Sequence, residues 1–196
     1  VDKNIMGMWG KILVACIPAA IVGILFDDKI NELFYNPTVI AIALIVFGIA
    51  FIFIENWHKS RKSEPRVLDP INITYRDALI IGLFQLIAAI FPGTSRSGAT
   101  IIGGLLIGLS RTTAAEFTFY LAVPVMFGAS LLKLVKFGLA FTGAELAILI
   151  VGMVAAFIVS ILVIKFLMNY IKKHDFKPFG WYRIILGILV FATLVF

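Results

Sequence analysis

The chain has 196 residues, of which 61% are hydrophobic and 14% charged, and its mean hydropathy is +1.05; soluble domains run nearer half apolar and a quarter charged. A water-soluble globule is excluded. So is a string of domains, because a bilayer core about 30 Å thick takes roughly 20 apolar residues per helix and this length holds about six or seven crossing elements.

The net charge of +6, from 17 Lys and Arg against 11 Asp and Glu, sits between apolar spans, so it reads as membrane orientation and head-group contact and not as nucleic-acid binding. The predicted class is an all-α polytopic membrane protein, a helical bundle forming one integral domain over residues 1–196. Because the first residue is Val1 and the first apolar stretch is too long and too weakly flanked for a cleaved signal peptide, the chain is expected to be a fragment.

Seven apolar runs without a polar stripe predict helices in lipid. The first, Lys11–Phe26, holds Pro18 and the single cysteine, Cys16, which reads as a packed small side chain and excludes an intrachain disulfide or a cysteine metal cluster. An acidic connection with Asp27, Asp28 and Glu32 leads to the second, Thr38–Ile54. The loop Glu55–Arg76 then carries Lys59, Arg61, Lys62, Arg66 and Arg76. The third and fourth runs, Ala78–Phe91 and Ala99–Leu109, are too short to cross comfortably, and the polar segment Pro92–Gly98 joins them, so they read as two half-helices meeting at membrane depth. Phe117–Leu134, with Pro124 inside it, Leu146–Met168 and Ile184–Phe196 complete the set, and the segment Lys165–Arg183 carries Lys172, Lys173 and Lys177.

The two basic segments should share the cytoplasmic side, which places the acidic first connection outside; Lys133 and Lys136 fall outside as well, against the rule. Pro18 and Pro124 read as kinks. His58 and His174 lie in basic polar stretches and read as solvated loop residues. No low-complexity tract or internal repeat is visible.

Chemistry concentrates in Phe91-Pro92-Gly93-Thr94-Ser95-Arg96-Ser97-Gly98-Ala99-Thr100, which sets one guanidinium and four hydroxyls among apolar residues. An arginine at this depth costs roughly 2.5–3.5 kcal/mol on insertion scales and should therefore face a polar interior and an anion. Pro92 and Gly93 stop one half-helix, and Ser95 or Ser97 can cap the next, whose free amides and positive dipole end form an anion site. Arg96 adds a fork that grips two phosphate oxygens, and Thr94, Ser95, Ser97 and Thr100 add neutral donors, a set better suited to phosphate than to carboxylate. Thr100, Gly104 and Gly108, four apart, predict a small face on the second half-helix that lets a neighbour approach. The bland alternative pairs Arg96 with Glu116 or Asp77, and Glu116 itself most simply pairs with Arg111.

These residues resemble the bacterial undecaprenyl-diphosphate phosphatase family, known also through bacitracin resistance, whose second signature is close to PG-x-SRSG-x-T. The likeness extends through Gly82, Gln85, Ser110-Arg111, Ala115-Glu116-Phe117, Leu121-Ala122-Val123-Pro124, Ile17-Pro18-Ala19 and Tyr182-Arg183. It implies interlocked inverted repeats with re-entrant hairpins, the second of them at Ala78–Leu109, in a multi-pass protein of the bacterial cytoplasmic membrane whose pocket opens to the outer face.

The implied activity is hydrolysis of undecaprenyl diphosphate to undecaprenyl phosphate and phosphate, recycling the carrier lipid of peptidoglycan synthesis. The matching positions make Arg96, Ser95 and Ser97 the catalytic candidates and Gly93, Thr94, Gly98, Thr100 and Gln85 the substrate-binding ones. The resemblance also implies a divalent cation, Mg or Ca, held mainly by carboxylates of the family's first signature, a Glu-rich segment followed by Pro-Ser-Ser-Thr-Gly-His. That segment has no match here, so the chain is expected to be the C-terminal two-thirds of the family fold, with its activity as a stand-alone chain left open. The expected partners are the polyprenyl diphosphate lipid and the bilayer, with no nucleic acid and a homodimer left open. A lipid-phosphate flippase or secondary transporter is the competing reading, since broken helices around a midplane anion site serve transporters too.

Overall fold

A computed structural model describes residues 3–60, 64–138 and 141–195, and these are helical almost throughout. Seven α-helices follow in order: α1 Lys3–Phe34, α2 Pro37–Ser60, α3 Tyr75–Ile90, α4 Arg96–Leu106, α5 Arg111–Phe137, α6 Gly143–Ile171 and α7 Lys177–Val195. A 3-10 turn, Pro70–Asn72, precedes α3. Each apolar run of the sequence lies on one of these helices. Arg61, Lys62 and Phe196 fall outside the described residues.

Five helices, α1, α2, α5, α6 and α7, are long and apolar enough to cross a bilayer. The other two are not. At 1.5 Å per residue, α3 rises about 24 Å and α4 about 17 Å, and together they form a hairpin that enters and returns. Its two open ends lie side by side: the Arg66 amide donates to the Gly108 carbonyl at 2.8 Å, the Ser110 amide donates to the Val67 carbonyl at 3.0 Å, and Arg66 Nη2 meets Asp77 Oδ1 at 2.6 Å. The tip reaches toward the opposite end of the bundle, where the rings of Phe91 and Phe34, the last residue of α1, stand edge to face at 5.0 Å. The two half-helices therefore make a re-entrant pair, and the acidic pairing that could have claimed Arg96 is absent, because Asp77 is held by Arg66.

The basic stretches gather at the hairpin's open end. Lys59 meets Asp175 at 2.5 Å, joining α2 to the α6–α7 connection. Lys136, at the far end of α5, lies 3.7 Å from Asp27, so one of the two lysines that broke the charge rule sits beside the acidic end of α1. Several boundaries differ from expectation. The first run stays helical to Phe34, so Asp27, Asp28 and Glu32 belong to the end of α1 and not to a connection, which is left with residues 35–36. The run after Thr38 does not stop at Glu55 but stays helical to Ser60, so Glu55 and His58 belong to α2, with His58 half-buried. Likewise Lys165 lies inside α6 and Arg183 inside α7, leaving a connection of only five residues, 172–176.

Glu55 is completely buried. Its Oε1 accepts from Arg111 Nε at 2.6 Å and from Arg111 Nη2, and its Oε2 accepts from the Phe176 amide at 3.4 Å. This corrects the expected Arg111–Glu116 pair. The physical reason is burial: a carboxylate removed from water needs a cation more than the half-buried Glu116 does.

Close helix packing rests on glycine. A Cβ on Gly48 of α2 would lie 2.7 Å from the Gly180 carbonyl of α7, and one on Gly187 would lie 2.9 Å from the Ala41 carbonyl of α2. A Cβ on Gly82 of α3 would lie 2.5 Å from the Ala15 carbonyl of α1. These are backbone-to-backbone approaches, the geometry that small residues give membrane helices. The outlier is α6, which packs along α5 and at its Ile171 end but is exposed over most of its length.

Arg111→Met leaves the Glu55 carboxylate buried without its cation and is expected to cost about 3–5 kcal/mol, read as a lower unfolding midpoint in detergent; an unchanged midpoint would contradict the role given to this pair. The Lys59 ammonium beside Asp175 holds that carboxyl below the ordinary aspartate value. A depressed carboxylate stabilises the fold above its unfolded pKa, and the benefit is lost as pH falls through the folded value. Lys59→Ala is therefore expected to raise the Asp175 titration midpoint toward the ordinary value, measured by carboxyl NMR.

Candidate functional site

The hairpin tip is built by local rules. The chain turns out of α3 through Pro92 and Gly93, and Gly93 adopts φ +92°, a left-handed conformation that favours glycine. A Cβ there would also lie 2.7 Å from the Ile40 carbonyl of α2, so position 93 excludes a side chain twice over. Thr94 is buried and its Oγ1 donates to the Phe91 carbonyl at 2.9 Å. Ser95, the other expected cap being Ser97, is the N-cap of α4: its Oγ accepts from the Gly98 amide at 3.2 Å. Ser95 holds φ +63° and ψ +116°, an unfavourable conformation for a residue with a side chain, of the kind that persists where surrounding structure over-determines the backbone.

The limb that follows is sheathed by protein. Every residue from Gly98 to Leu105 is buried. A Cβ on Gly98 would meet the Phe51 ring of α2 at 2.9 Å, one on Gly103 the Phe84 ring of α3 at 2.8 Å, and one on Gly104 the Ala114 methyl of α5 at 3.0 Å. Gly108, expected on the same small face, lies beyond the helix end at Leu106; its φ of +91° lets the chain turn back toward α5.

Beside the start of α4 lies a cavity of about 480 Å³, lined on its polar side by Gln85, Arg96, Ser97, Thr100 and Thr118 and on its apolar side by residues of α5 and α6 that include Phe119, Met126 and Ile164. Arg96 is half-buried and has no hydrogen-bond or ion-pair partner among the described residues. Gln85 is 1% exposed, and its Nε2 is buried without an acceptor. The amides of Arg96 and Ser97, the first two of α4, have no acceptor among the described residues. Ser97 Oγ lies 3.2 Å from Ser95 Oγ. Gln85, Arg96 and Ser97 thus bring an amide, a guanidinium and a hydroxyl to the lining of one space that has no carboxylate among its lining residues, a composition suited to an anion.

Thr100 lines the cavity but its hydroxyl is engaged, 3.1 Å from the carbonyls of Arg96 and Ser97 and 2.9 Å from Thr118 Oγ1. Of the sequence-predicted residues, Gln85, Arg96, Ser97 and Thr100 meet at the cavity, and Ser95 stands directly behind Ser97. Gly93, Thr94 and Gly98 do not line it. They shape the turn instead.

The sequence reading passed over Thr118 and Arg183. Thr118 sits about two turns into α5, where nothing local marks it. Arg183 reaches from α7 to donate from Nη2 to the Gly93 carbonyl. The cost of an arginine inside an apolar span was a signal that could have exposed it.

A divalent cation does not fit what this chain provides. Among the described residues no three His, Cys, Asp or Glu side chains are grouped to hold a metal ion. The cavity's own donors are hydroxyls, an amide and a guanidinium, which offer a cation no charged ligand.

Five membrane-length helices around a hairpin of two half-helices, with a polar-lined cavity beside its turn, define an all-α polytopic membrane protein. The chain belongs to the Bacitracin resistance protein BacA family, whose model matches residues 2–189. It is 65% identical over 195 residues to the undecaprenyl-diphosphatase 1 of Clostridium acetobutylicum, covering 98% of this chain and 70% of that relative. The undecaprenyl-diphosphatase of Desulfitobacterium hafniense is 65% identical over 190 residues and that of Enterococcus faecalis 60%, and this chain spans 68% of the length of each.

Replacing Ser95 separates its two roles. Ser95→Ala removes the cap and keeps the strained backbone, an expected loss of about 0.5–2 kcal/mol, whereas Ser95→Gly relaxes the backbone and costs only a few tenths. Thermal unfolding checks the order, and a glycine variant less stable than the alanine variant would contradict it.

Proposed function

We propose that this chain is an undecaprenyl-diphosphate phosphatase, a phosphoanhydride hydrolase that converts undecaprenyl diphosphate to undecaprenyl phosphate and inorganic phosphate and so returns the carrier lipid to cell-wall synthesis. The observation that carries the reading is Arg96, a cation without an ion-pair partner among the described residues, lining the cavity at the start of α4.

In the reaction an oxygen nucleophile adds to the terminal phosphorus while the bridging P–O bond breaks, and the bridging oxygen leaves with the lipid phosphate. Positioning and electrostatic stabilisation dominate such transfers. The Arg96 fork takes two oxygens of the terminal phosphate, and the Arg96 and Ser97 amides and the Ser97 hydroxyl take the charge that develops on the equatorial oxygens. Gln85 Nε2 donates to the same group, and Ser95 holds Ser97 and the helix start in place. The apolar wall of Phe119, Met126 and Ile164 accepts the lipid adjoining the diphosphate. No carboxylate or histidine lines the cavity, so these residues bind and stabilise and do not supply a general base.

The hairpin enters from the basic end, which the charge rule assigns to the cytoplasm, and its tip approaches the acidic end. This supports a pocket served from the outer face of the bacterial cytoplasmic membrane.

Arg96→Ala in the full-length protein is expected to abolish phosphate release from undecaprenyl diphosphate in detergent, where no gradient exists. Near-normal release would overturn the assignment. Lipid translocation in liposomes without hydrolysis would favour a carrier instead.

A further inference from the structure

Arg183 is 9% exposed and lies within α7, a membrane-length helix, where an arginine is costly to hold. It has no acidic partner among the described residues. Its Nη2 donates to the carbonyl of Gly93, and its Nε is buried without an acceptor. Gly93 also rests on α2, so near the Ile40 carbonyl that no Cβ fits. The turn is thus clamped between two helices that are themselves locked together by backbone contact at Gly48, Gly180 and Gly187.

Two residues beyond the clamp, Ser95 holds its strained φ of +63°, and Arg96 follows at once. A rigid support upstream is what a strained cap needs in order to persist. Without it, the turn can relax and swing the Arg96 guanidinium and the first α4 amides away from the cavity.

We infer that Arg183 is a positioning residue for the phosphate site: through the Gly93 carbonyl it fixes the turn that aims Arg96 and the α4 N-terminus at the terminal phosphate. The inference rests on the phosphatase reading above. It assigns Arg183 no contact with substrate, since Arg183 is not among the residues lining the cavity.

The test compares Arg183→Met and Arg183→Lys in the full-length enzyme in detergent, with Arg96→Ala as a reference, reading kcat and KM for phosphate release and the unfolding midpoint. Met keeps the apolar stem and donates nothing; Lys can still donate one hydrogen bond to the carbonyl. A misplacement of about 1 Å can cost on the order of a hundredfold, so Met is expected to lower kcat by about that factor with KM little changed, and Lys to recover part of the loss. Should the Met variant not purify folded, Arg183→Gln, whose amide also donates, takes the place of Lys and the comparison is with wild type.

A wild-type kcat in the Met variant overturns the inference. So does a raised KM at unchanged kcat, which would make Arg183 a substrate ligand, or a loss that tracks the unfolding midpoint and is not relieved by Lys or Gln. If Arg96→Ala still releases phosphate, the phosphatase site itself is misassigned. If Arg96→Ala is dead and Arg183→Met is silent, only the role of Arg183 falls.

Discussion

The fold turns on one carboxylate. Glu55 is fully buried in α2, and taking it out of water is tolerable only because Arg111 at the start of α5 and the Phe176 amide between α6 and α7 converge on it. Four helices are thereby indexed against one another at the basic end of the bundle. α5 begins at a fixed height, which sets Thr118 opposite Thr100 and Phe119 against the cavity. α7 begins at a fixed height, which carries Arg183 to the level of Gly93. Apolar packing alone, between lipid-like surfaces in lipid, has little power to fix such registers.

The pocket, in turn, is a product of what the hairpin cannot do alone. A free α3–α4 pair would expose irregular backbone to hydrocarbon, and such backbone survives only inside protein or along a cavity. The sheath of Phe51, Phe84 and Ala114 around α4 meets that requirement. Arg96, at the start of this sheathed limb, lines the cavity, and its guanidinium has no ion-pair partner among the described residues. On the proposed reading, binding and charge stabilisation are concentrated here, whereas the groups that would activate a nucleophile are not among the lining residues.

Local features were legible in the sequence and distant ones were not. Length and hydropathy located all seven helices, since each needs only its own run of apolar residues. Pro92, Gly93 and Ser95 announced the break and the cap, because stop signals and caps act within four residues. Glu55 was misread as loop: a charge ends an apolar run in any linear reading, and the partner that lets it stay helical lies 56 residues away. Gly108 was misplaced by a spacing of four that continued past the end of the helix. Arg183 and Thr118 escaped the site list for the same reason as Glu55, since their partners are brought near only by the tertiary fold.

The contact between Arg183 and Gly93 joins residues 90 apart in the chain, so the helix that carries it is made well after the hairpin. During synthesis the hairpin must therefore enter the bilayer with its tip held from one side only, against α2. Its second support arrives when α7 is threaded alongside. The turn is consequently fixed only once α7 is in place, and a chain that stops short of α7 can bury its hairpin without ever fixing the turn at its tip.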